Sequence, residues 1–336
     1  MLILAAVLFV TVKLSKIQKD TSFNKEDIEV NEGLSSESQE IMAGYTTIAL
    51  FGLDNRSNGN LSKGNRDVIM IASINNDTHA VKLVSVYRDS YLDIGGGTFK
   101  KCNSAYAKGG PEQAITMLNK NLDMDITDYV TVDFNAVVEC VDLLGGVTIP
   151  EVSDEEAVQM HGYMDEINKL TKNNSKYLSG GGTNVEMDGV QACAYARIRY
   201  TTGDDYKRTE RQRTVLTAMV QKAQKANLTT INSLIDELFG DIKTSFSNTE
   251  LISLAAKVFK ITWYNNASLI SKCCRILLKR ETYCLTKAVI EYFCGKRRIR
   301  LSVMQDSFRM KTAALWNAIQ DLLIIRMKAG KREKRI

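Results

Sequence analysis

Short apolar runs alternate with helical patterns over residues 46–260, and this alternation limits the fold more than any other feature of the chain. The runs at 46–53, 68–74, 80–86 and 129–134 predict strands, and a further short strand follows the turn at 145–150. Apolar spacing predicts helices at 110–122, 136–144, 187–195, 204–226, 228–239 and 248–260. Strands that alternate with helices indicate an α/β layered domain. The polar stretch 151–185 is predicted to be a loop excursion or lid.

The first 44 residues differ in character from this domain. Residues 1–12 are apolar and uncharged, and the run ends at Lys13. It is shorter than the roughly 20 residues needed to cross a bilayer, and no small-residue cleavage site follows it. We interpret it as a truncated signal anchor, with a buried N-terminal strand or helix as the alternative. Residues 13–44 are polar and acidic without a sustained period, which predicts a stalk or linker.

The last 76 residues, 261–336, are basic, with 17 Lys and Arg against 5 Asp and Glu. They also contain four of the seven cysteines of the chain. No nucleic-acid-binding module is recognisable there, and the aromatic residues are not interleaved with the charges, so we expect no nucleic acid as a partner. The abrupt change after Lys260 motivates the hypothesis that this tail is translated in a shifted reading frame. The coding DNA around codon 261 would decide this.

Arginines are concentrated between residues 195 and 215, beside Asp204 and Asp205: Arg197, Arg199, Arg208, Arg211 and Arg213. A guanidinium is a planar fork of donors that matches phosphate oxygens, so this segment is a candidate anion site. A helix that begins near residue 202 or 204 would place Asp205, Arg208 and either Arg211 or Gln212 along one stripe. A solvated, salt-bridged helix face is the alternative.

Similar charge pairs occur at three predicted strand ends: Asp54 with Arg56, Arg66 with Asp67, and Arg88 with Asp89. Functional sites are often built where loops leave a rigid sheet. Carboxylate oxygens bind Mg²⁺, and arginines neutralise the charge of a phosphate beside it. Each pair alone would also suit a structural ion pair, but three together favour a site for a metal and a phosphate.

These segments together resemble the LytR-CpsA-Psr family of bacterial cell-wall proteins. The resemblance covers about residues 45–260 and depends on motifs that follow the order of the family: Phe51-Gly-Leu-Asp-Asn-Arg56, Asp67-Val-Ile-Met70, Val84-Ser-Val-Tyr-Arg-Asp89, Lys101-Cys-Asn-Ser-Ala-Tyr106, Gly109-Gly-Pro-Glu112, Asp142-Leu-Leu-Gly-Gly-Val147, Arg197-Ile-Arg-Tyr200 and Arg208-Thr-Glu-Arg-Gln212. It implies an α/β/α-layered catalytic domain with a central mixed sheet at 45–260, on the outer side of the bacterial membrane and tethered by a single N-terminal anchor.

The resemblance also implies an enzyme, a phosphotransferase. Such a protein transfers a glycopolymer, of the teichoic acid or capsular polysaccharide type, from a polyprenyl-pyrophosphate carrier to peptidoglycan. Mg²⁺ is the implied cofactor, and the lipid is implied to enter an apolar tunnel. A membrane-anchored regulator that binds polyprenyl phosphate or polyanions without catalysis is the alternative of a different class.

Site residues follow from the resemblance position by position. The implied metal ligands are Asp54 and Asp67. The implied pyrophosphate-binding residues are Arg56, Arg66, Arg88, Lys101, Arg197, Arg199, Arg208, Arg211 and Gln212, and the implied catalytic set is Arg88, Asp89, Arg197, Arg199, Asp205 and Arg208. Either Asp89 or Asp205 is a candidate base for the acceptor hydroxyl, and either carboxylate would also serve to orient an arginine. Arg66 directly precedes Asp67, whereas the family spaces this arginine two residues before the aspartate.

Overall fold

A mixed sheet forms the centre of the domain. The computed structural model describes residues 16–20, 23–54, 65–199, 204–258 and 262–263. The strands in these ranges are β1 (Gln18–Lys19), β2 (Tyr45–Asp54), β3 (Asn65–Asn75), β4 (Ala80–Ser85), β5 (Tyr91–Asp93), β6 (Phe99–Lys101), β7 (Asp128–Asp133), β8 (Val147–Val152), β9 (Gly182–Met187), β10 (Ile242–Thr244) and β11 (Thr262–Trp263). The sheet has the order β1-β10-β7-β2-β3-β4-β11, and β5–β6 and β8–β9 form separate antiparallel hairpins. Strands β2, β3, β4 and β7 confirm the predicted apolar runs.

Helices cover both faces of this sheet. They are α1 (Ser36–Ala43), α2 (Asn103–Leu122), α3 (Phe134–Leu143), α4 (Asp154–Thr171), α5 (Gly189–Arg197), α6 (Asp204–Gln224), α7 (Leu228–Leu238) and α8 (Asn248–Val258). Successive side chains of a strand point to opposite faces. Leu50 of β2 packs in a cluster with Leu216 of α6, whereas the next residue, Phe51, contacts Tyr106 of α2 with ring centroids 5.0 Å apart. The predicted α/β class with a mixed central sheet is therefore confirmed.

One edge of the sheet collects the ends of four strands. Strand β2 runs antiparallel to β3 and parallel to β7, and β3 runs antiparallel to β4. Asp133 at the end of β7 therefore lies beside Leu53 near the end of β2, and Ser85 at the end of β4 pairs with Met70 at the middle of β3. We call this the site edge. It brings the three strand ends that carry the predicted Asp and Arg pairs to the same side of the domain.

A β-bulge lies at the site edge between β2 and β3. Gly52 pairs with Val68 and Leu53 pairs with Arg66, so Asp67 is the additional residue on β3. A Cβ atom on Gly52 would lie 2.8 Å from the Cβ of Val68, so the bulge depends on glycine at this position. Bulges redirect the strand and are frequent next to active sites.

The prediction of a loop or lid over residues 151–185 is wrong. Most of this stretch forms α4 and β9. Helix α4 begins with a capping box, in which the Ser153 hydroxyl accepts from the Glu156 amide and the Glu156 carboxylate accepts from the Ser153 amide. Its buried residues are Ala157, Met160, Met164 and Ile167. Their spacing of three and four is helical, but long polar side chains between them and the glycines at 180–182 obscured it.

The described part of residues 13–44 packs on the domain, in contrast to the predicted separate stalk. Strand β1 pairs in parallel with β10, and Ile17 and Ile28 are buried. The Nζ of Lys25 lies 2.6 Å from Oδ1 of Asp128, which begins β7. These partners are more than 100 residues away in the sequence, so local composition gave no indication of them. The segment is polar because much of it lies on the surface of the domain, where it contacts α2 through Asn24, Glu29 and Asn31.

Other predictions concern residues that the structure does not describe. The predicted anchor, residues 1–12, lies outside the described ranges. Among the described helices, none combines the length and apolarity needed to span a membrane. Of the tail 261–336, the described residues are Thr262 and Trp263, which form β11 beside Ala80 and Val81 of β4. The ordered domain thus continues slightly past the predicted boundary at 260.

Candidate functional site

An elongated cavity lies between the sheet and helices α3, α5, α6 and α7. Its volume is about 410 Å³, which is within the range of small-molecule sites. Strands β2, β3 and β7 provide Leu50, Met70 and Val130 among its largely apolar lining. A group of polar side chains also lines it: Asp133, Arg197, Arg199, Arg208 and Gln212. The cavity therefore combines apolar walls with several guanidiniums, which suits a ligand that is part lipid and part anion.

Helix α6 supplies both kinds of lining from one face. Arg208, Gln212 and Leu216 follow at intervals of four residues, and all three line the cavity together with Met219. Residues at this spacing lie above one another on a helix. The predicted stripe is therefore resolved in favour of Gln212, since Arg211 does not line this cavity. The arginine end and the apolar end of the cavity follow each other along a single helix.

Arg197, the last residue of α5, is surrounded by an acid and two aromatic rings. Its Nη2 donates to Oε2 of Glu166 on α4 at 3.1 Å. Its guanidinium carbon lies 4.6 Å from the ring centroid of Phe134 and 5.5 Å from that of Tyr163. A guanidinium near aromatic faces is stabilised by cation–π attraction. The side chain is only 11% exposed, so its position at the cavity is defined by these neighbours.

Arg211 lies on the other side of α6, in a second pocket formed with the start of α4. Its Nε donates to Oε1 of Glu156 at 2.7 Å, and its Nη1 donates to the carbonyl of Ile198 at 3.1 Å. Arg211 is 3% exposed. Partial burial raises the pKa of Glu156, but hydrogen bonds from the Ser153 amide and Arg211 outweigh it, so the pKa lies below its ordinary value.

A third charged group follows β4 at the site edge. The Lys101 Nζ lies 2.7 Å from Oδ1 of Asp89, and the Arg88 Nε lies 3.5 Å from Oδ2. Partial burial raises the pKa of Asp89, but the hydrogen bond from Lys101 and the charge of Arg88 outweigh it and lower the pKa below its ordinary value. Arg213 of α6 donates to the Ser85 hydroxyl at 2.7 Å, which connects the arginine helix to the end of this strand.

The predicted metal ligands are the end residue of β2, Asp54, and the bulge residue of β3, Asp67. Both backbones lie at the site edge, next to Leu53 and Val68, which line the cavity. The side chains of Asp54, Asp67, Arg66 and Asp205, and the whole of Arg56, lie outside what the structure describes. Among the side chains that are described, no group of three or more His, Cys, Asp or Glu is arranged to hold a metal ion.

Sequence reasoning missed several residues around the arginines. Asp133, 3% exposed, accepts from the Ala136 amide at 3.0 Å and so begins α3. An acid between a strand and a helix is a recognisable N-cap pattern, which would have drawn attention to it. Phe134, Glu156 and Glu166 gave no such signal, because their contacts with arginines span 31 to 63 positions of the sequence.

Three of the cysteines are in the described residues, and all three are free thiols. Cys102 and Cys193 are buried and belong to the core as small residues. Cys140 and Cys193 line the cavity. Burial raises the pKa of both Cys140 and Cys102 to about 12, so neither is a nucleophile near neutral pH.

Comparison with known proteins agrees with the resemblance. The model of the LytR_cpsA_psr family matches residues 6–266. A polyisoprenyl-teichoic acid–peptidoglycan teichoic acid transferase, TagU of Enterococcus faecalis, is 30% identical over 212 residues, which are 62% of this chain and 64% of that protein. TagU of Bacillus cereus is 27% identical over 244 residues, 72% of each chain. This chain thus aligns with just under two thirds of the E. faecalis relative.

Solved structures show the same fold. The structure described as TagT bound to LI-WTA superposes with a TM-score of 0.53 at 23% identity, over 72% of this chain and 83% of that one. The crystal structure of B. subtilis TagT gives 0.50 at 23% identity, over 69% and 80%.

Proposed function

Because the chain belongs to the LytR-CpsA-Psr family, we propose that it transfers a glycopolymer from a polyprenyl-pyrophosphate carrier to peptidoglycan. The glycopolymer would be of the teichoic acid or capsular polysaccharide type, and the protein would act as a membrane-anchored phosphotransferase outside the cell. The names of the relatives from E. faecalis and B. cereus support the teichoic acid class.

The cavity is the observation on which this proposal depends most. A polyprenyl pyrophosphate is an anion joined to a branched hydrocarbon chain, and the cavity offers the matching surfaces in the same order. Arg197, Arg199 and Arg208 would bind the phosphate oxygens, and Gln212 would donate from its amide. The apolar walls near Leu216 would cover the prenyl chain, which is favoured because apolar surface leaves water.

The chemistry requires charge stabilisation rather than a protein nucleophile. A hydroxyl of the acceptor would attack the phosphorus that carries the glycopolymer, a phosphorus–oxygen bond would form, and the bond to the bridging oxygen would break to release polyprenyl phosphate. Negative charge develops on the bridging oxygen as this bond breaks, and fixed guanidiniums in the cavity stabilise it. Arg197, Arg199 and Arg208 are at the cavity, and Arg88 stands at the site edge.

A base must take the proton of the attacking hydroxyl. Asp89 is paired with Lys101 and Arg88, and its lowered pKa makes it a weak base. We therefore assign Asp89 to orienting these two cations, and Asp205, at the start of α6, remains the candidate base.

We propose that Mg²⁺ binds at the site edge, because the residue types there suit it. Asp54 and Asp67 provide carboxylates on adjacent strands, and carboxylate oxygens are the ligands that Mg²⁺ takes beside phosphates. When bound there, the ion would neutralise charge on the pyrophosphate and favour departure of the lipid phosphate.

A turnover assay tests the proposal. The protein is incubated with a polyprenyl-pyrophosphate-linked teichoic acid and peptidoglycan, with Mg²⁺ or with EDTA, and transfer of labelled glycopolymer to peptidoglycan is measured. We expect Mg²⁺-dependent transfer that Asp67→Asn reduces at least 100-fold. The control Asp77→Asn removes an exposed carboxylate from the β3–β4 turn at the opposite edge of the sheet, and should retain full activity.

The same assay separates the alternative function. A regulator that only binds polyprenyl phosphates or polyanions needs the arginines but not the metal ligands. Tight binding of the donor without any Mg²⁺-dependent transfer or cleavage of the pyrophosphate would refute the enzyme and support the regulator.

A further inference from the structure

We propose that helix α4 positions the arginine segment 197–199 through two carboxylates. Glu156 holds Arg211, which in turn holds the backbone carbonyl of Ile198, and Glu166 holds the guanidinium of Arg197. Arg211, Glu156 and Glu166 are thus positioning residues, and Arg211 is not a ligand of the pyrophosphate. This inference rests on the proposed function only for what the positioned arginines bind.

The first contact acts on the backbone between two arginines of the cavity. Ile198 separates Arg197 from Arg199, and it caps the end of α5, where the chain leaves the helix with φ −53° and ψ 129°. Its carbonyl accepts from Arg211 Nη1 at 3.1 Å in a buried environment. A hydrogen bond from a charged donor to a buried carbonyl is among the stronger ones. Fixing this peptide group fixes the directions from which both neighbouring side chains emerge.

Arg211 is itself held by the Glu156 carboxylate, which accepts two separate hydrogen bonds. Oε1 of Glu156 accepts from Arg211 at 2.7 Å, and Oε2 accepts from the Ser153 amide at 2.9 Å. The carboxylate therefore joins the first turn of α4 to α6. Arg211 is 3% exposed, so without Glu156 a buried positive charge would lose a counter-ion that lies 2.7 Å away.

The second contact acts on a side chain. Glu166 lies ten residues after Glu156, about 15 Å further along the helix. It accepts from Arg197 Nη2 at 3.1 Å, while Phe134 and Tyr163 lie beside the same guanidinium. An arginine placed in this way needs little rearrangement when an anion arrives, so ligand affinity benefits from preorganisation.

Amide hydrogen exchange of the protein without ligand tests the first contact. Glu156→Gln removes the charge but keeps the shape, and we expect exchange in the peptide 194–199 to rise at least tenfold. The control Glu155→Gln makes the same change at the neighbouring, exposed position of α4 and should change exchange less than twofold. The double variant Glu156→Gln/Arg211→Met removes both charges and so avoids a buried unpaired cation. It should be more stable than Glu156→Gln and still show rapid exchange at 194–199.

Binding of farnesyl pyrophosphate, a soluble polyprenyl pyrophosphate, tests the second contact. Calorimetry should show about a five- to thirty-fold weaker affinity for Glu166→Gln, which lies within the roughly 2- to 150-fold range of coupling between contacting residues. In an Arg197→Gln background the same change should have no further effect, because Glu166 acts through Arg197. An equal loss in both backgrounds would overturn this part of the proposal.

The two experiments can refute the positioning by α4 and the proposed function independently of each other. Unchanged exchange at 194–199 in both Glu156 variants would overturn positioning by Arg211 whatever the ligand is. If the wild type does not bind farnesyl pyrophosphate, the proposed function fails, and the exchange experiment still decides whether α4 positions the segment.

Discussion

Replacement of Arg208 by methionine should separate binding from folding. Arg208 is 3% exposed and lines the cavity with Arg197 and Arg199. Methionine keeps most of the apolar stem and removes the charge. A hydrogen bond to a charged partner contributes about 1.5–3 kcal/mol, so the loss of one such bond should weaken binding of farnesyl pyrophosphate about 10- to 150-fold.

The effect on folding should be small because two contributions oppose each other. Loss of the Arg208 charge removes its interactions within the domain, but it also relieves repulsion among three cations that line one cavity. We expect the free energy of unfolding to change by less than about 1 kcal/mol, which is a change in Tm of less than about 4 °C.

Calorimetric titration with farnesyl pyrophosphate and a thermal unfolding scan of the same samples provide the two numbers. Arg213→Met is the matched control, since Arg213 is on the same helix and contacts Ser85 rather than the cavity. It should leave affinity within about threefold of the wild type. Unchanged affinity in Arg208→Met, or losses of affinity and Tm that are equal in free energy, would refute the assignment of Arg208 to the anion.

Three further changes test the packing, the pH dependence and the lipid end of the cavity. A Cβ on Gly189 would lie 2.1 Å from a carbonyl oxygen of α3, so Gly189→Ala should lower Tm by about 6–12 °C in a thermal unfolding scan. Gly162→Ala is the control, because a Cβ on this residue of α4 would have no atom within 4 Å. It should leave Tm equal or slightly higher. Burial raises the pKa of Glu250, but hydrogen bonds, first that from Lys25, lower it to about 2, below the ordinary 4.5. The contribution of Glu250 to stability is therefore complete above pH 4.5 and is lost as the pH falls toward 2. In denaturant titrations, the free energy of unfolding of Glu250→Gln should depend less on pH in that window than that of the wild type. An unchanged pH dependence would contradict the pairing with Lys25. Leu216→Glu should abolish calorimetric binding of farnesyl pyrophosphate but keep that of inorganic pyrophosphate, and parallel loss of both would argue against an apolar end.

The sequence allowed prediction of the elements with strong local patterns. The central strands are dense in Val, Ile and Leu, so β2, β3, β4 and β7 were found with bounds that differ by at most three residues. Helix α4 was missed, although a capping box begins it and Met160 and Met164 are at helical spacing. The polar residues between them, and the glycines at 180–182 that follow, gave this stretch a composition typical of a loop.

The types of residue at the candidate site could be predicted from the sequence, but their arrangement could be predicted only in part. Arg197, Arg199, Arg208 and Gln212 do line one cavity, as the motif suggested. The location of Arg211 was not predictable, because helical spacing alone leaves Arg211 and Gln212 as equal candidates for one stripe. Glu156 distinguishes them, and a contact across 55 positions is visible only once the chain is folded.

The shared face of helix α6 has a consequence for selectivity. Arg208 and Leu216 are about 12 Å apart along the axis of one helix. The cavity therefore favours ligands in which a polar head and a hydrocarbon tail are separated by this distance. The two halves of an amphiphile then bind as a chelate, in which the first contact raises the effective concentration of the second. Free phosphates and neutral prenyl alcohols obtain only one of the two contributions. Under the proposed function, anions that lack a lipid tail would therefore compete poorly with the lipid-linked donor.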